Sequence, residues 1–265
     1  MLERLTRPLS PFPSSVLAIF AHPDDETFRC GGTLALLARQ GAQVQLLCAT
    51  RGEAGVPEVE PEEAAELRQA ELECACRVLG LQPPRFLGYQ DGALAQVDHE
   101  EAVARIEAVV RELQPQVLFT WPPDGLSGHP DHIAVSRWTG EALPRMASPV
   151  GDPKGPARDP SPHPAALYHI VVPHSLAQAL GMTQLHTVPD EAVTLEVNVS
   201  EVWEAKTAAI RCHRTQLKGT PILTAPEAKQ RLFLGVEHFR LARGQSHPLS
   251  WLGQDISERR KDDNA

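Results

Sequence analysis

Apolar residues fall along this chain in two alternating rhythms. Nearly unbroken runs of Val, Ile, Leu and Phe occupy residues 16–21, 44–49, 85–89, 117–121 and 167–172, while in 32–40, 62–79, 100–113 and 132–143 apolar residues recur every three to four positions. The first rhythm belongs to strands covered on both faces, the second to helices with one buried stripe. Their alternation predicts βαβ units, and hence an α/β fold with a largely parallel sheet flanked by helices. The helix over 62–79 is the most sharply delimited: Pro61 stands at its mouth, Glu62 and Glu63 meet the positive end of its dipole, and Gly80 ends it.

Two stretches break the rhythm. Residues 148–164 hold Pro149, Pro153, Pro156, Pro160, Pro162 and Pro164, which no regular element survives, so they form an irregular excursion and a candidate lid. The mostly charged residues 255–265 predict a frayed tail. The 265 residues, 42% of them hydrophobic, suffice for a single domain over 1–265 with a buried core that needs no disulfides. A formal charge of -9 repels a phosphate backbone, which argues against nucleic acid as a partner. The apolar run 16–21 is too short for a signal segment or a membrane span, so neither secretion by that route nor membrane insertion is expected. Five Cys is an odd number, and Cys74 and Cys76 diverge on one helix, so all five read as reduced thiols of a cytoplasmic protein.

The chemistry sits just after two of the strands. His22, Pro23, Asp24, Asp25 and Glu26 follow the first, with Gly31 and Gly32 opening a helix; a tight turn there brings His22 and Asp25 to one side and leaves Asp24 spare. His129, Pro130, Asp131 and His132 follow the strand 117–121 through a short loop. Taken singly, each cluster could be a strand end and a helix cap. Taken together they differ, because parallel strands present their carboxyl ends to one edge of the sheet, where ligands bind. Three His and three Asp exceed what a catalytic metal takes from a protein, and the surplus is available for proton transfer. His163 and His247 are also followed by Pro, but neither by Asp.

These residues make the chain similar to the PIG-L/LmbE-like family of zinc-dependent N-deacetylases, which act on N-acetylglucosaminyl compounds. The resemblance rests on 21–26 (AHPDDE), 31–33, 50–55 (TRGEAG), 68–80, 87–92 and 129–132 (HPDH), with a weaker match over 206–216. It implies a Rossmann-like fold in which His22, Asp25 and His132 hold Zn2+, with Fe2+ or another divalent ion able to replace it. It further implies Asp24 as general base, and His129 as the group that stabilises the oxyanion or protonates the departing amine. Asp131 would orient His129 and favour its charged form. Arg68 and Asp91 match positions that contact substrate.

By themselves, Arg68 equally suits a helix-surface pair with Glu71, and Asp91 a plain Asp-Gly turn. Lys206, Ile210 and His213 share a helical face, where His213 reads as a core histidine. The implied partner is a small acetylated amino sugar, with a malate or an inositol glycoside as candidates and bacillithiol-type thiol synthesis as a setting. Members tied to mycothiol synthesis carry a Tyr shortly before the second motif; Ser127 and Gly128 stand there in this chain, which points away from that branch. A homo-oligomer is left open. Two His and one carboxylate also describe a non-haem Fe(II) oxygenase, and a catalytically silent sugar- or metal-binding protein is the alternative outside enzymes.

Overall fold

The computed structural model describes residues 13–146, 166–218, 220–244 and 253–255. The chain runs β1 (Ser15–Phe20), α1 (Asp25–Arg29), α2 (Gly31–Arg39), β2 (Gln43–Thr50), α3 (Pro61–Leu79), β3 (Arg85–Tyr89), α4 (His99–Leu113), β4 (Val117–Thr120), α5 (Pro130–Met146), β5 (Ala166–Ile170), α6 (His174–Leu180), β6 (Leu195–Asn198), α7 (Trp203–Cys212), α8 (Pro221–Thr224), α9 (Glu227–Leu234), β7 (Val236–Gly244) and β8 (Gly253–Asp255). The proline-rich stretch 148–164 lies outside the described residues, as does the tail beyond Asp255.

Alternation along β1 shows why the strands read as continuous apolar runs. Val16, Ala18 and Phe20 enter one core with Leu34, Leu72 and Ile210, while Leu17 and Ile19 enter a second with Val103, Ile106 and Val135. Helices α2, α3 and α7 therefore cover one face of the sheet, and α4 and α5 the other. Helix α3 ends as its sequence requires. Gly80 takes a left-handed conformation (φ 77°), and the Leu81 N–H reaches back to the Cys76 carbonyl at 2.8 Å.

One sheet of order β3-β2-β1-β4-β5-β7-β6-β8 contains all the strands. The five from β3 to β5 are parallel, and β7, β6 and β8 extend the sheet antiparallel. The expected largely parallel sheet is thus present, with an antiparallel extension that the hydrophobic pattern missed. The reason is visible in β7, where Arg240, Arg243 and Gly244 interrupt the apolar run as the strand leaves the core. The chain builds β2 and β3 to one side of β1, then β4 and β5 to the other, so connections diverge above the β1/β4 pair and open a crevice at their carboxyl ends. Among the described residues no helix is long and apolar enough to cross a membrane.

One expectation is corrected. Cys74 in α3 and Cys212 at the end of α7 form a disulfide, their Cα atoms 5.8 Å apart, while Cys30, Cys48 and Cys76 are free and buried. Cys74 and Cys76 do diverge on their helix, but packing of α3 on α7 brings Cys74 a partner 138 positions away, which neither spacing nor parity reveals. A cross-link of that span removes unfolded-state entropy worth up to about 5 kcal/mol in the chain-entropy model. Thiol titration of the denatured chain should find three thiols before reduction and five after it. Dithiothreitol or Cys74→Ser should lower the thermal midpoint by several degrees, followed by calorimetry.

Candidate metal centre and active site

Asp25 joins the two strand ends. Its Oδ2 accepts the main-chain N–H groups of Ala21 at 3.1 Å and His22 at 2.9 Å and the Trp121 indole N–H at 3.3 Å. Those bonds leave Oδ1 free on the side of His132, whose Nε2 lies 3.4 Å away. Burial works against ionisation of Asp25, yet His132 and His22 overcome it and hold the carboxyl well below the ordinary range.

The two histidines are each oriented from behind. His132 Nδ1 lies 3.1 Å from the Gly125 carbonyl, and the ring stacks on Trp121 with centroids 4.3 Å apart. The proton therefore sits on Nδ1, and Nε2 is the nitrogen available to a ligand-accepting ion. Gly125 is required for this turn: its φ is +69°, and a Cβ would press on His132 and Ile133 at 3.0 Å. His22 Nε2 faces Asp91 Oδ1 at 3.0 Å and Asp131 Oδ2 at 3.2 Å, leaving Nδ1 toward Asp25. Burial disfavours the charged ring, but hydrogen bonds to Asp131 and Asp91 and the Asp25 charge push His22 up to about 10 in the metal-free protein, so its Nδ1 becomes a donor only as a bound cation displaces that proton. His22, Asp25 and His132 thus converge three donor atoms within 4.8 Å of one another, two imidazole and one carboxylate. That set fits a divalent ion with open positions.

Asp24 behaves differently from its neighbour. It lies at φ 105°, ψ -25°, a left-handed conformation that costs a non-glycine residue about 1–3 kcal/mol, and its side chain caps no helix. The side chain is 22% exposed, with Arg68 Nη2 3.5 Å from its Oδ2. Burial and the adjacent Asp25 charge raise Asp24 to about 7, against the pull of Arg68 and His213. A carboxylate at that value exchanges protons near neutrality.

Arg68 is buried, 4% exposed, and makes no pair with Glu71, which instead accepts the N–H and hydroxyl of Thr215. Its guanidinium donates to the carbonyls of Gly52 and Pro23 and lies 4.0 Å from Asp91. A Cβ at Gly52 or Gly55 would collide with it, which accounts for both glycines of TRGEAG. Asp91 is more than a turn residue: its Oδ2 accepts the Ala54 N–H at 3.0 Å, and its own N–H donates to Glu53 at 2.8 Å. A cleft of about 380 Å³ adjoins this point, lined by Arg51, Glu53, Glu62 and Gln90 among others.

The expected partnership of Asp131 with His129 holds in a different form. The Asp131 carboxylate is fully buried and accepts the N–H groups of Gly92 at 2.7 Å and Leu94 at 3.1 Å besides facing His22. Its hydrogen bond to His129 comes from the main-chain N–H, which donates to Nδ1 at 3.1 Å and leaves the ring proton on Nε2, while the carboxylate acts on that ring through its charge alone. Burial, followed by His132 and His22, pushes His129 below its ordinary value despite the carboxylates nearby. The neutral ring, and not the charged one, is therefore favoured. Among the described residues, Trp121 and Glu53 also border the site; Trp121 carries no local sequence signal beyond its place after a strand, whereas Glu53 lies within TRGEAG and went unassigned there.

The family model for GlcNAc-PI de-N-acetylase (PIG-L) matches residues 17–143. A 1D-myo-inositol 2-acetamido-2-deoxy-alpha-D-glucopyranoside deacetylase of Kineococcus radiotolerans is 36% identical, over 92% of this chain and 80% of that protein. The chain belongs to the PIG-L family. It is an N-deacetylase of a family whose deacetylases depend on a metal, which separates it from the oxygenases and silent binding proteins that share its ligand types. N,N'-diacetylchitobiose deacetylase from Pyrococcus horikoshii superposes with a TM-score of 0.66 at 24% identity, covering 91% of this chain and 89% of that one. GalB, the 4-carboxy-2-hydroxymuconate hydratase of Pseudomonas putida, reaches 0.63 at 20% identity over 88% and 97%. Both likenesses show the fold.

Alanine at His22, Asp25 or His132 should sharply lower bound metal after dialysis, and Asp24→Asn should leave it near the wild-type level. Elemental analysis of the purified variants checks both outcomes.

Proposed function

We propose that the chain is a zinc-dependent hydrolase that removes the acetyl group from an N-acetylglucosaminyl compound, with His22, Asp25 and His132 as ligands and Asp24 as general base. The observation that carries this reading is the convergence of three candidate ligand atoms, from His22, Asp25 and His132, at the strand ends with the Asp24 carboxylate next to them. Two imidazoles and one carboxylate leave a net positive zinc centre, and Fe2+ suits the same donors. When bound, such an ion lowers the pKa of water toward neutrality and polarises the acetyl carbonyl.

Asp24 takes the proton from the attacking water at its carboxylate. His129 donates its Nε2–H to the carbonyl oxygen as negative charge develops there. Because its environment favours the neutral ring, His129 serves better as oxyanion donor than as acid. The proton on Asp24 then passes to the nitrogen as the C–N bond breaks, giving acetate and the free amine. Asp131 acts through His22 and the loop after β3. Arg68 and Asp91 border the sugar, and Arg68 also holds Pro23 and the 50–55 loop in place.

The cleft beside Asp91 takes the group attached to the sugar. Arg51 in it is already paired with Glu62 at 2.7 Å, and Glu53 adds negative charge, so the lining favours a neutral polyol over a carboxylate. An inositol glycoside therefore suits it better than the malate compound of bacillithiol-type synthesis, in keeping with the name of the Kineococcus radiotolerans relative. That reading sets aside the expectation from Ser127 and Gly128, where the missing Tyr pointed away from the mycothiol branch, because the named relatives act on the inositol compound; without that Tyr, His129 is left as the oxyanion donor.

A screen of inositol, malate and unsubstituted N-acetylglucosamine compounds by amine release tests the substrate; the inositol glycoside should give the highest kcat/KM. Chelation should abolish turnover and Zn2+ restore it, whereas full turnover by metal-free protein would sink the reading. Asp24→Asn should lower kcat by about a hundredfold or more. In the wild type the rate should climb with pH through about 7 as Asp24 ionises, and that limb should vanish in the Asn variant. Arg68→Ala should cost about 1.5–3 kcal/mol in kcat/KM, and wild-type values would remove Arg68 from the site.

A further inference from the structure

Behind Asp24 lie two buried groups that take no part in the chemistry above. Glu26 belongs to the first motif, and His213 follows the last residue of α7, 187 positions later. Glu26 Oε1 lies 2.9 Å from His213 Nε2, and Glu26 Oε2 accepts the main-chain N–H of Asp24 at 3.1 Å. One carboxylate thus grips the imidazole with one oxygen and the main chain of Asp24 with the other. Both side chains are excluded from solvent, at 0% and 1% exposure.

Asp24 is a residue that needs holding. Its left-handed conformation is one that a non-glycine residue keeps only where its surroundings enforce it. From one side, the Thr27 N–H and hydroxyl donate to its carbonyl at 3.0 and 2.9 Å. From the other, Glu26 takes its N–H, and Glu26 is itself held by His213. The imidazole has a firm base, because Cys212 beside it is bonded to Cys74 in α3, the helix that also delivers Arg68 to Pro23 and Asp24. His213 lies beyond the 17–143 segment that the family model matches.

We propose that Glu26 and His213 are positioning residues for deacetylation, which keep Asp24 in its left-handed turn and so set where the base carboxylate points. This rests on the reading of Asp24 as general base. A core histidine with a packing role alone would affect stability and leave the base where it is. A positioning role affects kcat through Asp24, without touching substrate or metal.

The test is a double-mutant cycle between His213 and Asp24, run on the full metal-loaded chain with kcat, KM, bound metal and thermal midpoint measured for each variant. His213→Ala should lower kcat on the order of a hundredfold, as misplacement of a reacting group by about 1 Å does, with KM and metal content unchanged. His213→Gln retains a donor for Glu26 and should recover part of the loss, and it replaces the Ala variant should that one fail to fold. Glu26→Gln, which can still accept from Asp24 and meet the imidazole, should likewise retain more activity than Glu26→Ala. In an Asp24→Asn background the His213 substitution should cost nothing further, since the group it positions is gone. Independent, multiplying losses in the double variant, or a wild-type kcat in the folded His213 variants, would overturn the proposal. Asp24→Asn alone reports separately on the base: if it turns over normally, the base assignment falls and the positioning role with it.

Discussion

The parallel pairing of β1 with β4 is the constraint on which the site depends. It places the ends of two strands, a hundred residues apart in the chain, side by side at the point where the order of the parallel strands reverses. Asp25 then completes the join, since its Oδ2 accepts from the end of β1 and from Trp121 just past β4. An oxygen so heavily hydrogen-bonded cannot swing, which leaves the other oxygen as a fixed acceptor toward His132. The geometry of the candidate metal centre is thus a property of sheet pairing carried into side chains.

Two adjacent carboxylates, Asp24 and Asp25, end with opposite properties. Asp25 has two histidines and three N–H donors against it and stays ionised far below neutrality. Asp24 has burial and the charge of Asp25 against it, and Arg68 answers only in part from 3.5 Å. Pairs of titratable groups driven apart by their surroundings can take separate roles in one site, which is what the proposed ligand Asp25 and the proposed base Asp24 require.

The antiparallel half of the sheet serves the same motif from behind. Glu237 in β7 accepts the N–H groups of Gly32 at 2.9 Å and Thr33 at 2.7 Å at the start of α2, and Lys206 in α7 neutralises it at 2.7 Å, both side chains fully buried. Burying such a pair costs desolvation, which these hydrogen bonds offset, and losing one partner would leave a charge stranded in the core. Arg29 reaches the first residue of the same strand through the Val236 carbonyl, and the preceding helix α9 through the Phe233 carbonyl. The first motif is therefore seated on β7 and α7, and a chain ending after β5 would lack the groups that hold it.

Much of this was legible in the sequence. The five parallel strands and four of the helices followed from hydrophobic period within a residue or two at most ends, because burial on one or both faces writes itself into local spacing. The two His/Asp motifs were legible because each stands directly after a strand, where parallel pairing brings them to one edge. Spacing could not say which atom of each histidine is free, that the Asp131 carboxylate bonds His22 instead of His129, that Arg68 is buried on carbonyls instead of paired with Glu71, or that Cys74 meets Cys212. Glu26 stood in plain view within the first motif, yet its partner His213 looked like any residue on a helix face. Those assignments depend on contacts between segments distant in the chain, and on the burial that sets the charge of each group, so only the tertiary structure decides them.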